Sequence, residues 1–150
     1  MAGREVSVPQ TSTQPTFLPL TTAAARTAAD SHLDPQLRAA ADMVWRRATN
    51  ADSAAADCWV ALLANCDSPG RRLLASRLHA LSEATGVYAG TSWWRGRGSH
   101  LRRRVAQAEH QLVEAVRDGD GEDFAEAFVG YDQAVATTVV AVQSRLGSPA

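Results

Sequence analysis

The sequence predicts an all-α fold, a bundle of about six helices, on three observations. From Thr21 onward apolar residues recur at i, i+4, i+7 and i+8, the spacing of a buried helical stripe. Start and stop residues divide these stripes at bundle-like intervals. The alternation that marks strands is nearly absent, and no repeat of twenty to fifty residues is present.

In chain order, residues 1–18 are rich in Pro, Ser, Thr and Gln and read as a disordered leader, ahead of a helical domain over 19–147. An alanine-rich helix is expected over about 21–31. Asp34-Pro35 supplies an N-cap and a proline at the first helical position, which starts a helix over about 35–49 with Leu37, Ala41, Val44 and Trp45 on one face. Asp52 or Ser53 is expected to cap a separate helix over about 52–66, striped by Ala55, Trp59, Leu62, Leu63 and Cys66. After the break at "CDSPG" a leucine helix over about 70–85 carries Leu73, Leu74, Leu78 and Leu81, with Gly86 as its C′ residue. Residues 87–98 read as a loop or short irregular helix. Ser99 is expected to cap a helix over about 100–118, striped by Leu101, Val105, Ala108, Leu112 and Val116. "DGDG" makes a tight connection to a last helix over about 121–146, with Phe124, Phe128, Tyr131, Val135, Thr138 and Val142 inward and Gly147 and Pro149 at its end.

Composition narrows the function classes. A chain of 150 residues suits one domain, and 45% hydrophobic with 21% charged residues is an ordinary globular balance. The net charge of -1 disfavours nucleic acid as the main partner, because neutralising several phosphates takes a clearly basic domain. All fifteen basic residues are arginine, which fits the codon usage of a high-GC genome and lowers the weight of "LRRR". No apolar run is long enough to span a membrane, and the N-terminus lacks a signal-peptide core. On one helix Cys58 and Cys66 would stand about 12 Å apart, too far for the roughly 4.4–6.8 Å of a disulfide. Free thiols and a cytoplasmic setting are expected.

Three segments, "AAARTAADSHLDPQLRAAADMV", "CWVALLANCDSPGRRLL" and "VAQAEHQLVEAVRDGDGEDFAEAF", together resemble the FCD domain, the C-terminal effector domain of GntR-type regulators of the FadR branch. The resemblance runs over about residues 20–146 and is most specific in the third segment. It implies a bundle enclosing a small-molecule pocket, often with a metal held by one Asp and three His. Placed without gaps, the family's Asp and first His fall on Ala56 and Val60; slipped by one they fall on Asp57 and Ala61. The second His matches His110 and the third falls on Tyr131. Asp57, His110 and Tyr131 make a poor transition-metal set, so no metal and no cofactor are expected. The family's winged helix-turn-helix has no counterpart in the twenty or so polar residues ahead of this region, so DNA reading by that route is not expected.

The catalytic candidates are therefore His110, Tyr131 and Asp57. His110 lies off the main apolar stripe of its helix, as a residue on a pocket wall would, and can exchange protons near neutral pH. Glu114, one turn on, could orient it. Tyr131, in the last helix's stripe, is expected to face His110, and Asp57 sits at the edge of the Trp59 stripe. Trp59, Trp93 and Trp94 are expected as aromatic walls, with Val60, Arg103, Glu114 and Phe128 completing the ligand-binding set. "TSWWRGRGSHLRRR" reads as a lid or dimer-contact loop hinged at Gly96 and Gly98. The expectation is a small-molecule pocket used as a metal-independent enzyme of secondary metabolism, of cyclase, isomerase or dehydratase type. A non-catalytic binding or sensor protein and a protein-interaction adaptor are the alternatives. The expected partners are a small organic molecule and a second copy in a homodimer, without nucleic acid or membrane.

Overall fold

A computed structural model describes residues 15–147, and among them the chain is helical throughout, with no strand. Six helices follow in order: α1 (Pro19–Ser31), α2 (Pro35–Ala64), α3 (Pro69–Ala89), α4 (Thr91–Arg95), α5 (Ser99–Asp118) and α6 (Gly121–Gly147). α2 and α3 form one hairpin and α5 and α6 another. α1 fills the space between α2 and α6, and α3 faces α5 and α6. The all-α bundle is therefore as the sequence predicts, but its six elements are not the six expected ones. The helices expected over 35–49 and 52–66 are one, α2, roughly 45 Å long at 1.5 Å per residue. The sixth is α4, inside the stretch 87–98 read as a loop or short irregular helix.

Asp52 explains the merger. It sits within α2 and accepts the backbone N–H groups of Thr16 (3.1 Å), Phe17 (2.7 Å) and Leu18 (2.9 Å), at the entry to α1. The residue read as a cap is a cap, but of a helix elsewhere in the chain. Asp132 of α6 completes the task by accepting Leu20 N–H (3.1 Å) and Thr21 N–H (2.8 Å). Pro19 has no N–H to satisfy, and Thr22 N–H reaches Leu18 C=O. Every donor of the first turn of α1 is thus paired, which an entry packed into the core requires. Of the expected leader, residues 1–14 lie outside the described residues. Residues 15–18 are placed, with Phe17 and Leu18 packed on the bundle. Leu18 is fully buried, and the Phe17 ring lies 5.2 Å from Phe128 and 5.7 Å from Phe124.

The start of α3 follows the same logic. Ser68 accepts Arg71 N–H (3.0 Å), Pro69 has none, and Asp57 of α2 accepts Gly70 N–H at 2.6 Å. The core runs through Val44, Leu74, Leu78, Leu81, Leu112 and Val135, filled out on α2 by Ala41, Ala48, Ala51 and Ala55, whose small side chains let α1 and α3 approach closely. Cys58 and Cys66 are free thiols, Cys58 buried and pushed up to about 11 by burial, Cys66 exposed. Among the described residues no helix is long and apolar enough to cross a membrane.

Candidate functional site: the groove between α3 and α5

The α3–α5 seam is the sparsest between neighbouring helices of the ring, because α4 and its flanking glycines interrupt the hairpin that would otherwise close it. It opens as a groove of about 480 Å3, within the usual size range for small-molecule sites. Trp94, Val105, Ala106 and Val113 give it apolar walls; Ser82, Glu109 and His79 give it polar groups; Arg95 and Arg102 stand at one end.

Ser82 is the centre of this arrangement. Its hydroxyl donates to Glu109 Oε1 at 2.6 Å and lies 2.9 Å from the Tyr131 hydroxyl. Tyr131 is fully buried, and with the Ser82 proton on Glu109 its one hydroxyl proton is shared between the Leu78 carbonyl at 3.0 Å and the Ser82 oxygen. Burial drives its ionisation far above the ordinary phenol range, and the charge of Glu109 adds to the shift. Glu109 keeps a fifth of its side chain exposed, and its second oxygen lies 3.5 Å from His79 Nδ1. The other ring nitrogen of His79 lies 3.5 Å from Glu83. A buried tyrosine, a half-buried serine and a carboxylate at the groove surface thus form one hydrogen-bonded chain from core to solvent.

The expected catalytic set does not converge. His110 is exposed, with Nε2 3.9 Å from Glu114, and lines the α3–α5 groove, whereas Tyr131 and Asp57 do not. Tyr131 turns from it toward Ser82 and Leu78, because the stripe that buries the ring aims it at α3. Asp57 is spent on the N-terminus of α3. Glu114 pairs with Arg117 at 2.6 Å and lines a second cleft, between α5 and α6, with His110, Asp118, Asp123 and Glu126. Among the described residues no group of three His, Cys, Asp or Glu is placed to hold a metal ion.

The expected ligand-binding residues also separate. Trp94 lines the groove. Trp59 stacks on Phe124 at 5.9 Å, and Phe128 is buried core between Phe17 and Tyr131. Val60 is solvent-exposed on α2, and Arg103 is exposed without lining the groove.

The Trp93-Trp94 pair is neither a free lid nor a stacking platform. A Cβ at Gly86 would lie 2.6 Å from the Trp94 indole nitrogen, and one at Gly98 would lie 2.6 Å from the Trp93 ring. Each tryptophan is seated on a glycine, and the Arg145 guanidinium covers Trp93 at 4.8 Å. Gly86 therefore lies inside α3 and not past its end. The terminating glycine is Gly90, at φ +91°. Gly98, expected as a hinge, is a seat.

Ser82, Glu109, His79, Arg95 and Arg102 were not singled out by sequence. The available signal was polarity on apolar stripes: Ser82 follows Leu78 by one turn and Glu109 follows Val105 by one turn. The buried His32, whose Nε2 lies 2.7 Å from the Tyr88 hydroxyl, gave no signal at all. Comparison with known proteins finds no matching family model, no matching curated relative and no matching solved structure.

Proposed function

We propose that this protein binds a small organic molecule in the α3–α5 groove. The observation that carries the reading is the Ser82 hydroxyl, held 2.6 Å from Glu109 and 2.9 Å from Tyr131 beside apolar walls. A few fixed polar groups in a concave apolar setting orient a ligand. The reading keeps the kind of function that the FCD resemblance implies and moves it from Asp57 and His110 to α3 and α5. That kinship is itself part of the proposal.

A catalytic version is the second reading, favoured by the Ser82–Glu109 contact. Glu109 is a carboxylate already bonded to a hydroxyl hydrogen, and a proton acceptor of that kind serves an isomerase, cyclase or dehydratase. In this version Glu109 takes the place expected of His110.

The test is retention and conversion of compounds from a cell extract, read by mass spectrometry on the wild type and on Ala106→Trp. Ala106 is exposed on the groove wall, so the indole fills the groove without entering the core. Binding predicts compounds retained unchanged by the wild type and lost from the variant. Catalysis predicts conversion that Glu109→Gln abolishes. Equal retention by both proteins, or none by either, overturns the groove as the site.

A further inference from the structure

Charge around the groove is unevenly compensated. Residues 84–108 contain five arginines, at 95, 97, 102, 103 and 104, and no Asp or Glu. Among the described residues none of the five lies within ion-pair distance of a carboxylate, whereas Arg46, Arg72 and Arg117 each do. Three of the five stand in the first turns of α5, where the helix dipole disfavours cations. Of the groove's carboxylates, Glu109 is bonded to Ser82 and lies 3.5 Å from the His79 ring, while Glu83 lies 3.5 Å from the same ring and stays exposed. The groove's guanidinium groups are less engaged. That of Arg95 has no hydrogen bond among the described residues, and that of Arg102 uses only Nε, to the Trp94 carbonyl at 3.2 Å, which leaves its terminal nitrogens free to donate.

The tryptophans fix this arrangement. Trp94 is locked on Gly86 and lines the groove beside both arginines. The two guanidinium-bearing side chains thus stand beside an apolar wall seated on α3, and Glu109 is already bonded to Ser82.

We propose that the ligand of the groove is a small organic oxyanion, a carboxylate or phosphate monoester. Its charged end lies between Arg95 and Arg102, and its apolar body rests on Trp94, Val105, Ala106 and Val113. A guanidinium offers paired donors to either oxyanion. This inference rests on the small-molecule reading of the groove.

The experiment uses matched sets of substituted benzoates, benzamides and benzylamines, which share shape and differ in charge. Binding is read from the Trp94 indole N–H resonance, assigned with Trp94→Phe. The expected result is a saturable shift from benzoates, with amides and amines weaker. Arg95→Gln should weaken benzoate binding about fivefold or more, and Arg97→Gln, outside the groove, should leave it unchanged. Arg102→Gln gives a second measure of the same loss. Amides or amines that bind as tightly at Trp94, or benzoate affinity indifferent to Arg95 and Arg102, overturn the oxyanion assignment and leave the groove standing. If no fragment of any charge moves the Trp94 resonance, the groove reading falls and the inference falls with it. If phenyl phosphate, run beside benzoate, binds more tightly, the ligand class narrows to phosphate monoesters.

Discussion

The Ser82 hydroxyl on α3 donates to the Glu109 carboxylate on α5 across 2.6 Å, and this contact bridges the sparsely packed seam between the two helices. It is also the outer link of the polar chain that begins at buried Tyr131. Ser82→Ala removes the bridge and leaves Tyr131 its bond to Leu78. The expected cost is about 1 kcal/mol in chemical denaturation, the usual net worth of one hydrogen bond. An unchanged midpoint would mean that water replaces the bridge without loss.

Gly86 gives a prediction whose sign is informative. In an ordinary helix interior Gly→Ala stabilises by about 1 kcal/mol. Here the new methyl meets the Trp94 indole at 2.6 Å. Gly86→Ala should instead destabilise by about 1 kcal/mol, since overpacking of this kind costs roughly 1–3 kcal/mol, and should alter tryptophan fluorescence. A variant more stable than the wild type would show that Trp94 is not seated on α3.

Asp52→Ala should cost about 2 kcal/mol, because it strips the acceptor from the Phe17 and Leu18 N–H groups in one step. Hydrogen exchange should then quicken at the start of α1 before it does at Leu112 or Val135. Equal quickening across the core would make Asp52 a general stability residue and not the clasp of α1.

Both tyrosines of the chain are buried hydrogen-bond donors or partners. Burial pushes Tyr88 up to about 12, against the opposing pull of Arg145, and pushes Tyr131 further. Unfolded tyrosine ionises near pH 10. The unfolded chain therefore releases these protons first as pH rises. The stability tied to Tyr88 is complete below about pH 10 and is lost as pH approaches about 12. In an ultraviolet titration tyrosinate should appear only above pH 10, together with loss of helix. Tyrosinate forming near pH 10 with the helices intact would contradict the buried placement.

The helical bundle was legible because its signals are local. Asp34-Pro35 does start α2, with Gln36 N–H on the Asp34 carboxylate at 2.9 Å, and the stripe of α6 is buried as its spacing predicts. What failed were residues whose partners lie in another helix. Asp52 carries the chemistry of a cap, but the helix it caps begins more than thirty residues earlier. Gly86 has the look of a helix end, and only the position of Trp94 reveals why it is glycine. The groove was out of reach for the same reason. Ser82, Glu109 and Tyr131 are ordinary at their own positions, and their meeting depends on how α3, α5 and α6 turn toward one another.

The central claim is that the α3–α5 groove is the binding site, and not the acidic cleft between α5 and α6. Amide NMR mapping with the molecules retained from extract tests it most directly, since His110 borders both and the remaining lining residues separate them. The account predicts shifts at Ser82, Glu83, Arg95, Ala106 and Glu109. Shifts confined to Asp118, Asp123 and Glu126 would contradict it.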